Sequence, residues 1–468
     1  MVFTSPVFLG LFIPALLALY FWSNYALRTY VLLAFSLLFY SWGEPIAVWV
    51  MIALAVFGYF IGMTLGFLQG RRLRLSVLAV GVGVNLVVLG FYKYLSFFIG
   101  NVLSCLAFFG ADVHLPDPNI ALPIGISFYT FQILSYLVDV YRKEVLPQRN
   151  LFKFMLYVSL FPQLIAGPIV RYATIVSQLE DRVVHFDNII EGVRRFAIGL
   201  AKKAIIADSM AVIADGVFKT DPAAVPCVYC WLGAIAYMLQ IYFDFSGYSD
   251  MAIGLGRIFN FRFLENFKHP YAACSVQDFW RRWHVSLSTW FRDYLYIPLG
   301  GNRKGPVRTY VNLFIVFALC GLWHGASWTF VVWGLYHGIG LVMERSLLKS
   351  YVERLPRFIG NAYLLLFVLV GWVFFRADTL SHAGQYLRNM FLGNWALGSA
   401  SFMPLFDHFS LSNAFLLIVG IFVSYPIMSN AYARCNDSVK TCLCIPLLAL
   451  SVIWAMTSGY SPFIYFRF

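Results

Sequence analysis

The run Thr309–Leu341, TYVNLFIVFALCGLWHGASWTFVVWGLYHGIGL, holds no Asp, Glu, Lys or Arg across its 33 residues. Its ionisable side chains are Tyr310, Cys320, His324, Tyr336 and His337. A helix needs about 20 apolar residues to cross the hydrocarbon core of a bilayer, so this stretch decides for a membrane protein. At 1.5 Å per residue it makes about 50 Å of helix, long for one upright crossing and short for two. One crossing would carry Arg345 and Lys349 to the outside, against the cytoplasmic bias of basic residues. A hairpin would put His324 near its outer tip. A bent or steeply tilted run is the expectation.

The rest of the chain agrees. Of 468 residues, 60% are hydrophobic and 12% charged, half the charge of an ordinary soluble domain. Such a chain cannot tile a water-facing surface, and it is too apolar to be disordered. The net charge of +12 reads as cytoplasmic loops and anionic headgroups, with membrane lipid rather than nucleic acid as partner. The segment before the first apolar run, Met1 to Pro6, is uncharged, so no cleavable signal peptide is expected. Among eight cysteines, Cys227 and Cys230 form a CxxC and Cys442 and Cys444 a CxC. Neither arrangement has the second pair of a zinc site, so packed thiols and no metal are expected.

Apolar runs at Ser5–Trp22, Tyr30–Trp42, Pro45–Leu68, Leu75–Phe98 and Ile120–Tyr141 alternate with basic loops at Arg71–Arg74 and Arg142–Lys153. Between them, Ala111–Asn119 carries Asp112 and Asp117 without Lys or Arg and reads as an outer loop. Phe154–Val170 contains Pro162 and Pro168 and is expected to be broken, which membranes tolerate only when the backbone is buried in protein or lines a cavity. Ile189, Val193, Phe196, Ala197 and Leu200 make an apolar stripe with Arg194, Arg195, Lys202 and Lys203 off it, the pattern of a basic amphipathic helix at the cytoplasmic interface. Cys230–Phe259, Phe358–Phe375, Ser412–Met428 and Thr441–Tyr465 supply further spans. The expected fold is an all-α polytopic membrane protein of about ten to twelve transmembrane or half-spanning helices, and one membrane domain covers residues 1–468.

Charge inside apolar territory is costly, about 2.5–3.5 kcal/mol per group on insertion scales, so its placement is informative. It crowds between Asp244 and Lys304. In Tyr242–Asp250, Asp244 and Asp250 lie six residues apart on opposite sides of a helix, unsuited to shared acid/base work. Ser246, Tyr248 and Ser249 offer hydroxyls to them. The group is either a polar cavity wall or buried hydrogen bonding between helices.

Ser275-Val276-Gln277-Asp278 is a capping pattern. No proline interrupts the chain from there to Pro298. One amphipathic helix is expected, with Trp280, His284, Leu287 and Phe291 on one face and Arg282, Ser286, Thr289 and Asp293 on another. An interfacial anchor explains its tryptophans and arginines but not His284, for which a satisfied structural role is the competing reading. In Cys320–Trp328, His324 stands in the uncharged run beside Gly321 and Gly325. An imidazole there is a functional hypothesis by default, because it accepts a proton near neutral pH. A buried histidine bonded to a facing helix is the alternative.

These segments together resemble the membrane-bound O-acyltransferase family, in its bacterial polysaccharide O-acetylation branch. The resemblance rests on Leu122–Phe128, Phe161-Pro162-Gln163, Ala166-Gly167-Pro168, Asp244–Asp250, Trp280–Asp293, Ile297–Asn302 and Trp323-His324-Gly325. It implies helices in a ring around a central funnel. It implies His324 as the catalytic histidine and His284 as its partner; Trp323, Asp244, Ser246, Tyr248, Asp250, Arg282 and Asp293 are the candidate substrate contacts beside them. It further implies an acyl thioester donor from the cytoplasm, acetyl-CoA, without a metal. Acetyl groups would pass to an exported polysaccharide, alginate or cellulose, on the outer side of a bacterial inner membrane, directly or through partner proteins of an export complex. Two other classes fit the same polar residues: a proton-coupled transporter using Asp244, Asp250, His284 and His324 as a relay, and a scaffold for a secretion complex. No internal repeat of the kind many transporters show is visible.

Overall fold

The computed structural model describes the chain apart from residues 112, 114, 117, 119, 181, 182, 184, 223, 224, 394–409, 458–462 and 464–468. Asp112 and Asp117 of the expected outer loop, and the end of the last expected span, lie outside the described residues. The protein is all-α: 78% is helical, and no strand occurs among the described residues. Six described helices are long and apolar enough to cross a membrane: Ala47–Phe67, Arg71–Phe108, Cys227–Ile258, Pro306–His324, Arg357–Arg376 and Asp437–Thr457. The expected ten to twelve included half-spans, and those are here as shorter pieces such as Phe8–Trp22 and Arg28–Ser41. The expected span Ser412–Met428 is two helices, Leu411–Ser424 and Pro426–Arg434, bent by 69°. Pro426 forces Tyr425 into an extended backbone (φ −92°, ψ 160°), as a residue before proline prefers.

The chain falls into two compact units, Met1–Ile190 with Leu255–Leu264 and Glu191–Gly254 with Glu265–Phe468. In the first, Phe3, Phe8, Phe12, Phe39 and Phe161 make an aromatic core, with centroids 5.0–6.4 Å apart. The Arg71–Arg74 stretch is not a loop but the first turn of the helix Arg71–Phe108. Arg74 is buried and donates to the carbonyls of Val140 and Tyr141 at 3.0 and 2.8 Å. It thereby satisfies the open C-terminal end of Ile126–Arg142. Phe154–Val170 is broken as its prolines predict: Leu151–Ser159 stops at Leu160 and a single turn, Phe161–Leu164, follows. Gly125 caps Ile126–Arg142 at φ +80°, where a side chain would strike Leu164 O, so the Leu122–Phe128 and Phe161–Pro168 motifs are one packing unit.

The helix Phe186–Ala201, which belongs to the second unit from Glu191 on, runs through a π-helical stretch, Lys202–Ala207, into Asp208–Phe218. This is the expected basic amphipathic helix, and its cations are paired within the protein. Arg195 and Lys202 both bind Asp250 at 2.6 Å, and Lys203 binds Asp208 at 2.6 Å and Asp244 at 2.8 Å. Arg194 pairs with Asp437 at 3.2 Å. Arg195, Lys202 and Lys203 are engaged by the buried carboxylates of Cys227–Ile258, which need counter-charges in the interior, while Arg194 pairs with the exposed Asp437.

Candidate active site

All nine residues singled out in the sequence lie in the second unit. The charge-free run is a helical hairpin, the arrangement weighed beside a bent or steeply tilted run. Pro306–His324 ends at Gly325, and Trp328–Met343 returns from the Ser327 cap, whose Oγ accepts Thr329 N at 3.2 Å. The arms meet through Gly321 and Gly334. A methyl on either would strike a backbone carbonyl, Phe330 O or Phe317 O. The returning arm continues through Glu344–Leu348 to Val352. The hairpin is therefore about 28 Å on one side and about 37 Å on the other, with Arg303, Lys304 and Arg308 near one foot and Arg345 and Lys349 near the other. His324 is the last residue of the outgoing arm.

His324 is 2% exposed. Its ring is enclosed edge-on by Trp323, Trp333 and Phe375, with centroids 5.0, 5.0 and 5.2 Å away. Phe375 comes from Arg357–Arg376, which closes the cage from a third helix. His337, one arm further on, accepts from Trp280 Nε1 at 3.3 Å and sits among Phe279, Trp333 and Phe367, a packed structural histidine.

His284 is not on a helix face. The expected continuous helix breaks at it. Val276–Arg282 ends, Trp283 is extended, His284 is left-handed (φ 43°, ψ 55°), and Val285–Phe291 begins. A non-glycine residue in that region is uncommon and marks a conformation that its surroundings enforce. Two groups from outside cap the helices on either side of it, and of these Asn266 acts at the break itself. At the first helix, the Glu344 carboxylate accepts Val276 N at 2.7 Å and Gln277 N at 3.1 Å, while Ser275 Oγ accepts Asp278 N at 3.0 Å. At the second, Asn266 O accepts Val285 N at 3.0 Å and Asn266 Oδ1 accepts Ser286 N at 3.2 Å. Both supply the acceptors that a helix N-terminus lacks.

The His284 ring is fully buried, with Phe245 at 4.7 Å and Trp323 at 6.0 Å between centroids. Burial pushes its pKa down to about 3, since desolvation disfavours the imidazolium. Trp323 touches both histidines, so their ring centres are no more than about 11 Å apart, the sum of its two legs of 6.0 and 5.0 Å.

The other candidates are elsewhere in the unit. Asp244 and Asp250 are 2% and 5% exposed and bound to the lysines and arginine named above. Ser246 Oγ is buried without a hydrogen-bond partner among the described residues. The Tyr248 ring lies tilted against Phe463, with centroids 4.8 Å apart. The Ser249 hydroxyl, expected to serve a carboxylate, accepts instead from Asn266 Nδ2 at 3.1 Å. Arg282 pairs back to Asp278 at 2.9 Å, and Asp293 takes Arg292 Nε at 2.6 Å. Cys227 donates to Met390 O, and among the described residues no three His, Cys, Asp or Glu side chains converge as a metal site. Sequence reasoning missed Asn266 and Glu344. Glu344 had a faint signal, a lone acid closing an apolar run. Asn266 had none, because its partners lie 18 and 20 residues away.

The descriptive model of MBOAT, the membrane-bound O-acyltransferase family, matches residues 126–379, more than half of the chain and all of the broken helix and hairpin. The chain belongs to this family. It is 41% identical over its full length to a probable alginate O-acetylase of Pseudomonas putida, covering all of that protein. It is 32% identical to a peptidoglycan O-acetyltransferase of Helicobacter pylori, covering all of this chain and 98% of that one. A teichoic acid D-alanyltransferase of Bacillus subtilis is 31% identical over 48% of this chain and 60% of its own. This membrane-bound O-acyltransferase is therefore a multi-pass membrane enzyme of the polysaccharide O-acetylation branch. Family membership selects acyl transfer over the transporter and scaffold readings.

Proposed function

We propose that the protein takes acetyl groups from a cytoplasmic thioester, acetyl-CoA, and passes them toward an exported polysaccharide on the outer side of a bacterial inner membrane. Alginate is the first choice of polymer and cellulose the second, since a relative matching along the whole length is named for alginate. The immediate acceptor is a hydroxyl of the polymer or of a partner protein in the export complex. The observation that carries this reading is the pair of buried imidazoles, on two independent helix breaks, both in ring contact with Trp323.

His324 acts as general base. It takes the proton of the acceptor hydroxyl as the oxygen attacks the thioester carbonyl; the carbon–sulfur bond breaks and the proton passes to the departing thiolate, giving ester and free thiol. A positioned base of this kind is worth about 10²–10⁴-fold in rate. His284 orients a reacting group. Asp244 and Asp250 hold the helix Cys227–Ile258 in place through their ion pairs rather than touching substrate. The hairpin supports vectorial transfer: both feet are basic, which favours the cytoplasm for both, and His324 is at the far end.

The test is radiolabelled acetyl-CoA supplied to inside-out vesicles that carry the export complex. Label on an acceptor in the vesicle lumen, lost in His324→Ala at equal protein level, supports the reading. Equal labelling in wild type and variant overturns it.

A further inference from the structure

We propose that Asn266 is the positioning residue of His284: it locks the imidazole in the Nδ1–H tautomer and leaves Nε2 as a bare acceptor for a hydroxyl or amide N–H of a bound substrate. The inference rests on the acetyltransferase reading for its use, not for its geometry. Three consecutive residues hang from this one asparagine. Its backbone oxygen accepts Val285 N at 3.0 Å. Its side-chain oxygen accepts Ser286 N at 3.2 Å and Ser286 Oγ at 2.9 Å, and lies 3.0 Å from His284 Nδ1. Its amide nitrogen donates to Ser249 Oγ at 3.1 Å.

The orientation of the amide follows from chemistry. Ser286 N–H can only donate, so the Asn266 atom that faces it is oxygen. That oxygen can only accept, so His284 Nδ1 carries the hydrogen. In a neutral imidazole the other nitrogen is then unprotonated. Nε2 is buried and has no hydrogen-bond partner among the described residues. A buried acceptor left unsatisfied is unfavourable, and a substrate donor would relieve it. The groups packed on His284, the rings of Phe245, Phe267 and Trp323 with Asn266 and Ser286, carry no charge. Nothing among them stabilises an imidazolium. With its pKa near 3, His284 holds a hydrogen bond and does not relay protons, so the two histidines divide the work: His324 moves the proton and His284 aims the group.

The closing experiment is nitrogen-15 NMR of the purified full chain labelled at histidine, with the His284 signals assigned by their loss in His284→Gln. Wild type is expected to show Nδ1–H with unprotonated Nε2. Asn266→Asp keeps the accepting oxygen and is expected to keep that tautomer. Asn266→Ala is expected to lose it and to lower kcat for acetyl transfer by at least tenfold with KM for acetyl-CoA within about twofold. An Nε2–H tautomer in the wild type overturns the proposal, as does an Asn266→Ala protein with unchanged tautomer and kcat. If Asn266→Ala does not fold, the wild-type and Asn266→Asp spectra decide alone. The tautomer needs no substrate, so a correct tautomer with no acetyl transfer in any variant would overturn the enzymatic reading and leave the positioning intact.

Discussion

His284 and His324 are both buried at helix breaks, yet they are held by opposite means. His284 hangs from hydrogen bonds: Asn266 fixes its ring nitrogen and the two residues after it, and Glu344 caps the helix before it. His324 is held by shape, edge-on to Trp323, Trp333 and Phe375. Hydrogen bonds are directional and settle where a proton sits. Aromatic contacts settle where a ring sits and keep water from it, but they leave its nitrogens to other partners. A group that must present one lone pair suits the first arrangement, and a group that must gain and lose a proton suits the second.

The largest effect that tests this contrast is His324→Ala. Acetyl transfer should fall by about 10²–10⁴-fold or more, with unchanged membrane insertion, measured as acetyl ester per unit of extracted protein. If His284→Ala cost more than His324→Ala, the roles would be reversed. Next, Trp333→Ala removes a fully buried wall of the His324 cage. It should cost about 3–5 kcal/mol of stability, read as a lower unfolding temperature in detergent, and should leave the His284 tautomer untouched. A changed tautomer would show that the two sites are one packing unit.

Glu344→Gln leaves one acceptor oxygen for two helix N–H groups. The expected loss is about 1.5–3 kcal/mol, the worth of a charge-assisted hydrogen bond, seen in the same melting assay. Smallest is Ser249→Ala, which frees one Asn266 N–H and should cost about 1 kcal/mol, with acetyl transfer reduced by a few-fold at constant KM for donor. A pH series adds a sign. Because native His284 titrates near 3 and an exposed histidine near 6.5, the unfolded chain binds more protons between those values. Stability should therefore fall as pH drops through that window, and His284→Gln should flatten the decline.

Much of the fold was legible in one dimension. The charge-free run 309–341 and the prolines of Phe154–Val170 mark where helices run and break, because hydrophobic length and missing backbone donors act locally. His324 was legible too, as the imidazole in a run without formal charge. The errors share a cause. Ser275–Leu299 read as one helix because nothing inside it breaks a helix; the residues at the break are held by Asn266, 18 residues from His284, and by the Lys268 N–H that binds the Arg282 carbonyl. The 33-residue run read as bent or steeply tilted because its length suits neither one upright crossing nor two; the hairpin depends on Gly321 and Gly334 meeting carbonyls across the turn. The cations at 194–203 read as headgroup ligands because their carboxylate partners lie far along the chain.

The sequence by itself determined that this is a helical membrane protein with histidines in its apolar interior, since composition and spacing fix what a segment can bury. Only the tertiary structure decided that His284 sits in a left-handed break with one nitrogen committed and that His324 ends a hairpin arm inside an aromatic cage. Those states are set by hydrogen bonds and ring contacts between residues distant in sequence, and they exist only once the chain has folded.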